Sequence, residues 1–139
     1  MKAAITAIGG YVPEYVLTNA ELETMVETND EWITTRTGIK ERRILKPEEG
    51  RGASYLAIKA VEAMKEEYGV SVEDVDLVIL ASVTGDMPVA ITSAYIAQEI
   101  GAKNAYAFDL QAACSSFLYA VSNAAAYIES GKYKKVLVV

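Results

Sequence analysis

Apolar and polar positions change period several times along the chain, and those changes mark its elements. Residues Ala3 to Gly9 alternate loosely and end in Gly-Gly, which predicts a strand and a turn. Pro13 and the Thr18-Asn19 pair mark a loop, from which Asn19 or Thr18 can cap a short helix over Ala20 to Thr28, with Leu22, Met25 and Val26 on one face. Asn29-Asp30 then opens a second short helix through Glu31-Trp32-Ile33, closed by Gly38. Glu41 to Leu45 reads as a short strand, and Pro47 to Gly52 as a charged, Gly-flanked loop. Ala53 to Tyr68 has the spacing of an amphipathic helix ended by Gly69, and Ser71 to Asp74 that of a capped turn. Leu77 to Val83 is a continuous apolar run of strand length, the pattern of a strand buried on both faces. Gly85 to Pro88 breaks it. Thr92 to Ile100 is helical, Ala105 to Leu110 a strand, Ala113 to Ser130 a long apolar helix ending at Gly131, and Val136 to Val139 a further strand.

Strands alternating with helices predict an α/β fold. The expected architecture is one domain over residues 1–139, a mixed, mostly parallel sheet of about five strands with helices on both faces. The chain stops on an apolar strand with no loop behind it, so a piece of something longer is expected, with an apolar edge prone to dimerise or aggregate.

Composition narrows the function classes. Apolar residues make up 52% and charged residues 23%, as in soluble globular proteins. No apolar run reaches the roughly 18 residues that cross a bilayer, and the first residues are too short an apolar stretch for a signal peptide. A single Cys excludes an internal disulfide, so a reducing cytoplasm is expected. The net charge of −6 argues against nucleic acid as a partner. Charge is uneven, however: Arg36, Lys40, Arg42, Arg43 and Lys46 stand in one stretch against the single acid Glu41. That stretch is either a solvated loop or a docking patch for phosphate or an acidic protein. There is no His, so a Cys–His pair, a Ser–His–Asp triad and a His-containing zinc site are all excluded within this chain, and no metal is expected.

The segment from Ala107 to Phe117 carries the chemistry. A strand ends, a tight turn of small residues follows, and Cys114 stands at the start of a helix. A helix N-terminus offers unpaired N–H groups and the positive end of its dipole, which stabilise a thiolate and the oxyanion formed when a thioester carbonyl is attacked. The alternative is a small apolar Cys buried in the core. Trp32 likewise reads either as core packing or as an exposed stacking face.

Asp109-Leu110-Gln111-Ala112-Ala113-Cys114-Ser115-Ser116-Phe117 resembles the active-site segment of β-ketoacyl-acyl-carrier-protein synthase III, a thiolase-fold condensing enzyme, in which Ala-Ala-Cys precedes a helix beginning Ser/Ala-Gly-Phe. The stretch from Thr28 to Arg42, with Trp32 at its centre, is similar to a second signature of that family. Gly10-Tyr11-Val12-Pro13-Glu14 and Thr18-Asn19 are similar to its opening. The resemblance runs nearly end to end and implies a thiolase-like N-terminal half. It implies acyl transfer from acyl-coenzyme A to Cys114, then decarboxylative condensation with malonyl-acyl carrier protein, the first step of type II fatty-acid synthesis. It implies that Trp32 stacks the adenine of coenzyme A, that Arg36 lies against the nucleotide and that Thr28 hydrogen-bonds near the adenine. The coenzyme A thioester is a substrate, no separate cofactor is implied, and the whole enzyme is expected to be a homodimer. The His and Asn that the family uses for decarboxylation belong to its C-terminal half. Two departures stand out. Asp86-Met87-Pro88-Val89-Ala90-Ile91 replaces a Phe-Pro loop, which leaves the primer chain length open, and Ser116 replaces a Gly, which is expected to crowd the helix start. The acyltransferase activity is thus implied for the parent protein, whose C-terminal half the condensation needs, and this stretch alone is expected to be inactive; the alternatives are a half-domain without catalysis, or a relative that only passes acyl groups from Cys114 to another acceptor.

Overall fold

The structure, a computed structural model, describes residues 2–46 and 51–139. Two compact units result, one of residues up to Tyr11 together with Gly52–Val139, the other from Val12 to Arg51. Pro47 to Gly50 of the expected loop lie outside the described residues.

In the smaller unit, strand β1 (Val16–Thr18) leads into helix α1 (Asn19–Leu22), then helix α2 (Asp30–Thr37) and strand β2 (Glu41–Arg43). β1 and β2 pair antiparallel, with Val16 opposite Arg43 and Thr18 opposite Glu41. β1 falls where the sequence predicts only a loop. The Thr18 side chain caps α1 by accepting from Glu21 N–H, but the helix ends at Leu22 instead of running to Thr28. Two side chains account for that. Thr24 Oγ1 donates back to Glu21 O at 2.7 Å, and Glu23 Oε1 leaves its own turn to accept from Asp30 N–H at 2.6 Å. Such local bonds compete with the helical ladder, and Met25 and Val26 are left exposed. α2 forms as its caps predict. Asn29 Oδ1 accepts from Trp32 N–H at 2.8 Å, and Gly38 closes the helix at φ 72°, a left-handed conformation that suits glycine.

In the larger unit, helix α3 (Ala53–Tyr68) precedes strand β3 (Leu77–Ala81), helix α4 (Thr92–Glu99), strand β4 (Tyr106–Leu110), a 3-10 turn (Ala113–Ser115), helix α5 (Ser116–Glu129) and strand β5 (Val136–Val138). The three strands form a parallel sheet in the order β4-β3-β5, with Leu77 opposite both Tyr106 and Val136. The described residues form five strands, four of them where the sequence predicts strands, but instead of one mixed sheet they make a three-stranded parallel sheet and a separate antiparallel pair. β3 is central and is buried on both faces, as its unbroken apolar run requires. Val78 and Leu80 pack with Ala57 and Val61 of α3 and with Ile96 and Ala97 of α4. Leu77 and Ile79 pack on the other face with Ala120 and Ala124 of α5. Helices thus cover both faces of the sheet, as in α/β folds generally.

The strand expected over Ala3 to Gly9 is not formed. No ladder pairs it among the described residues, and Ile5 and Ile8 are 73% and 66% exposed. Alternation over a few residues gives a strand only where a neighbour supplies its hydrogen bonds. The segment instead lies along α3, where a Cβ on Gly9 would stand 2.5 Å from Met64 Cβ.

Candidate active site

α4 and α5 follow adjacent strands and lie on opposite faces of the sheet. The carboxyl ends of β3 and β4 therefore flank a switch in the winding, where open parallel sheets hold their ligands. Cys114 comes four residues after the last residue of β4.

The end of β4 is tied down by a carboxylate. Asp109 Oδ2 accepts from Thr92 N–H and Oδ1 from Ser93 N–H, both at 2.9 Å, at the first turn of α4. Orphan amides at a helix start meet an anion there, in line with the helix dipole. Thr92 Oγ1 in turn accepts from Asp86 N–H at 2.9 Å, and the Asp86 carboxylate accepts from Ser54 N–H at 3.2 and 3.3 Å at the start of α3. A relay of side chains therefore joins α3, the 86–92 loop, α4 and β4 directly before the Cys114 turn. Sequence reasoning read Asp109 only as part of a motif, and Asp86 only as part of a loop change. The available signal was an acid inside an apolar strand, a group that demands a partner.

Beyond Leu110 the backbone reverses. Ala113 has φ 47°, and among the described residues no other non-glycine has a positive φ. Cys114 follows in the 3-10 turn and is exposed, which removes the reading of a core cysteine. The expected single helix from Ala113 is thus divided, with α5 itself starting at Ser116. This changes the oxyanion argument. Ser115 N–H donates to Ala112 O at 3.0 Å and Ser116 N–H donates to Ala113 O, so both amides are engaged by the turn. Neither amide is therefore free to serve as an oxyanion donor in this conformation. Ser116 is not a crowding residue: it is buried, and its Oγ accepts from Ala112 N–H at 2.7 Å. Among the described residues, no three His, Cys, Asp or Glu side chains converge as metal ligands.

In the smaller unit, Trp32 is 52% exposed on α2, which removes the core-packing reading. Arg36, one turn later, lies with its guanidinium carbon 4.6 Å from the centre of the Trp32 ring, a cation–π stack between positions i and i+4. Thr28 is half-buried and immediately precedes the N-cap Asn29. The structure therefore brings Thr28, Trp32 and Arg36 to one short helix and its entry. Beneath them Asn19 is buried and fully engaged. Its Nδ2 donates to Asp30 Oδ1 at 2.7 Å and to Ile39 O at 2.8 Å, while its Oδ1 accepts from Arg42 Nη2 at 2.8 Å. The Asn19 amide, followed by Lys40, holds the Asp30 carboxyl below its usual range. The basic stretch is largely occupied by its own unit. Arg42 also donates to Leu17 O, Arg43 to Pro13 O and Glu14 O, Lys40 pairs with Asp30 at 3.1 Å, and Lys46 stands 3.9 Å from the centre of the Tyr15 ring.

Comparison with known proteins gives the following likenesses. The profile of the family described as 3-oxoacyl-[acyl-carrier-protein (ACP)] synthase III matches residues 108–139. All of the chain is similar to a β-ketoacyl-[acyl-carrier-protein] synthase III from Azobacteroides pseudotrichonymphae, with 53% identity over 139 residues, covering 42% of that relative. Among solved structures, 3-oxoacyl-[acyl-carrier-protein] synthase III from Aquifex aeolicus is similar at 47% identity with a TM-score of 0.88, over 95% of this chain and 42% of that one. The synthase III of Thermus thermophilus is similar at 44% identity with a TM-score of 0.90, over 96% of this chain and 41% of that one. The chain thus spans about two fifths of the length of the relatives it matches.

Proposed function

We propose that this chain, similar along all of its 139 residues to a β-ketoacyl-[acyl-carrier-protein] synthase III, belongs to that family and carries the acyl-accepting half of an initiating condensing enzyme of fatty-acid synthesis. The observation that carries the reading is the exposed Cys114 on a positive-φ turn at the carboxyl end of a parallel strand. In the proposed reaction the Cys114 sulfur attacks the carbonyl carbon of an acyl-coenzyme A. The new C–S bond forms as the carbonyl becomes an oxyanion. Collapse of that intermediate breaks the bond to coenzyme A, whose thiolate takes up the proton that Cys114 gave up. The acyl-enzyme is then attacked by the carbanion that malonyl-acyl carrier protein forms on losing carbon dioxide, and Cys114 is released as thiolate. The resemblance gives the stabilisation of the carbanion to a His and an Asn of the family's C-terminal half, and this chain has no His. The same reading gives Trp32, Arg36 and Thr28 the adenine end of coenzyme A. A planar ring with a guanidinium beside it suits a base. It makes the working enzyme a homodimer in the reducing cytoplasm, with no cofactor beyond its thioester substrate.

Intact mass after incubation with acetyl-coenzyme A tests the first step. One added acetyl group, lost in Cys114→Ala, is the expected result. An acetyl group that persists in Cys114→Ala refutes the assignment of the nucleophile. A product that forms only when malonyl-acyl carrier protein is added separates condensation from simple acyl transfer.

A further inference from the structure

The turn that carries Cys114 is closed from inside by one side chain. Ser116 is 1% exposed, and its Oγ reaches back four residues to the Ala112 amide. Between the two ends of this bond lies Ala113 at φ 47°. An L-residue in that region is strained and returns to the right-handed region unless its neighbours are pinned. Two bonds pin them. Ser115 N–H holds Ala112 O, and Ser116 Oγ holds Ala112 N–H, so both polar groups of the Ala112 residue are tied to the start of α5. The first of these needs only backbone and is available to any sequence. The second depends on the hydroxyl of Ser116, at a position where the family segment described above has a glycine.

We propose that Ser116 is a positioning residue for acyl transfer: its hydroxyl fixes the Ala112–Ala113 turn and so sets the direction from which Cys114 meets a thioester carbonyl. Ser116 does not touch the reacting atoms in this account, and it acts only through the turn. The account rests on Cys114 being the acyl acceptor. Attack on a carbonyl requires alignment of sulfur, carbon and the oxyanion donors, and a small misplacement is costly in rate. Alkylation by iodoacetamide occurs at a tetrahedral carbon and makes no use of an oxyanion site.

The test compares the wild-type chain with Ser116→Ala and Ser116→Thr. Three quantities are measured: single-turnover acetylation by acetyl-coenzyme A, alkylation of Cys114 by iodoacetamide, and hydrogen exchange at the Ala112 amide. In Ser116→Ala the maximal acetylation rate is expected to fall about tenfold, with half-saturation changed less than about twofold, since only alignment is lost. Alkylation is expected to stay within about threefold, and Ala112 exchange to rise about tenfold. Ser116→Thr keeps the hydroxyl and is expected to restore both exchange and acetylation. Exchange at Ala112 unchanged in Ser116→Ala overturns the clasp. Acetylation and alkylation that fall together, without rescue by Thr, overturn positioning and leave a purely structural role. A wild-type chain that takes up no acetyl group removes the proposed function instead, and the exchange comparison then judges the clasp by itself.

Discussion

Replacing Asp109 by Ala removes the acceptor of two amides at once. Thr92 and Ser93 are both fully buried, so their N–H groups have no route to water when the carboxylate is gone. A buried donor left without a partner costs about 1–3 kcal/mol. Two of them give a loss of about 2–6 kcal/mol for Asp109→Ala if the loop does not rearrange. Asp109→Asn keeps one acceptor oxygen and places an NH₂ group against the other amide, so about half of that loss, 1–3 kcal/mol, is expected. Set against a usual domain stability of about 5–15 kcal/mol, only the largest such loss would unfold a domain at the low end of that range. Urea unfolding of the full chain, followed by circular dichroism, measures both values, and the ordering Ala worse than Asn is as informative as the size. An Ala variant within about 0.5 kcal/mol of wild type, the usual effect of a surface change, refutes the idea that this carboxylate holds α4 to β4.

Trp32→Ala is expected to raise half-saturation for acyl-coenzyme A about tenfold at constant maximal rate, because a stacking face contributes uniform binding. An unchanged half-saturation in steady-state kinetics counts against the adenine assignment. Asp76 gives a pH dependence: the amides of Lys134 and Lys135 donate to its Oδ2 at 2.7 and 3.1 Å and hold its carboxyl below the usual aspartate range. Its contribution to stability is complete above the unfolded-state value and is lost as pH falls through the lower folded value. Asp76→Asn is therefore expected to flatten the acid limb of a pH–stability curve below about pH 4, and an unaltered limb rejects the linkage.

Long elements with clear ends were legible in the sequence. α3 begins and ends at the expected residues because sixteen residues of helical period are closed by Gly69, whose φ is 62° and whose N–H bonds to Lys65 O. β3 was legible because an unbroken apolar run has few other solutions. Three-residue β1 carries no period to read, and α1 is shortened by the Thr24 side chain, which bonds back to Glu21 O, and by that of Glu23, which reaches forward to the Asp30 amide. The site divides in the same way. The pairing of Trp32 with Arg36 follows from their spacing of four on a helix. The exposure of Cys114 does not follow from sequence, because a lone cysteine packs in a core equally well. Ser116 was legible as a departure from the family pattern, but the direction of its hydroxyl was not. That Asp109 needs a partner was legible, but its choice of the α4 amides depends on how the strand and the helix meet.

Arg42 donates through Nη1 to Leu17 O and through Nη2 to Asn19 Oδ1, and Arg43 through Nη1 to Pro13 O and Glu14 O. Charge and directional bonding are thereby separated in this stretch. An anion nearing Arg42 meets a monopole, with little of the forked geometry by which arginine grips phosphate or carboxylate. Such an attraction speeds encounter more than it prolongs residence, and it fades over a Debye length of about 8 Å at physiological salt. The segment is thus suited to gathering negative ligands in dilute salt, and poorly suited to telling one from another.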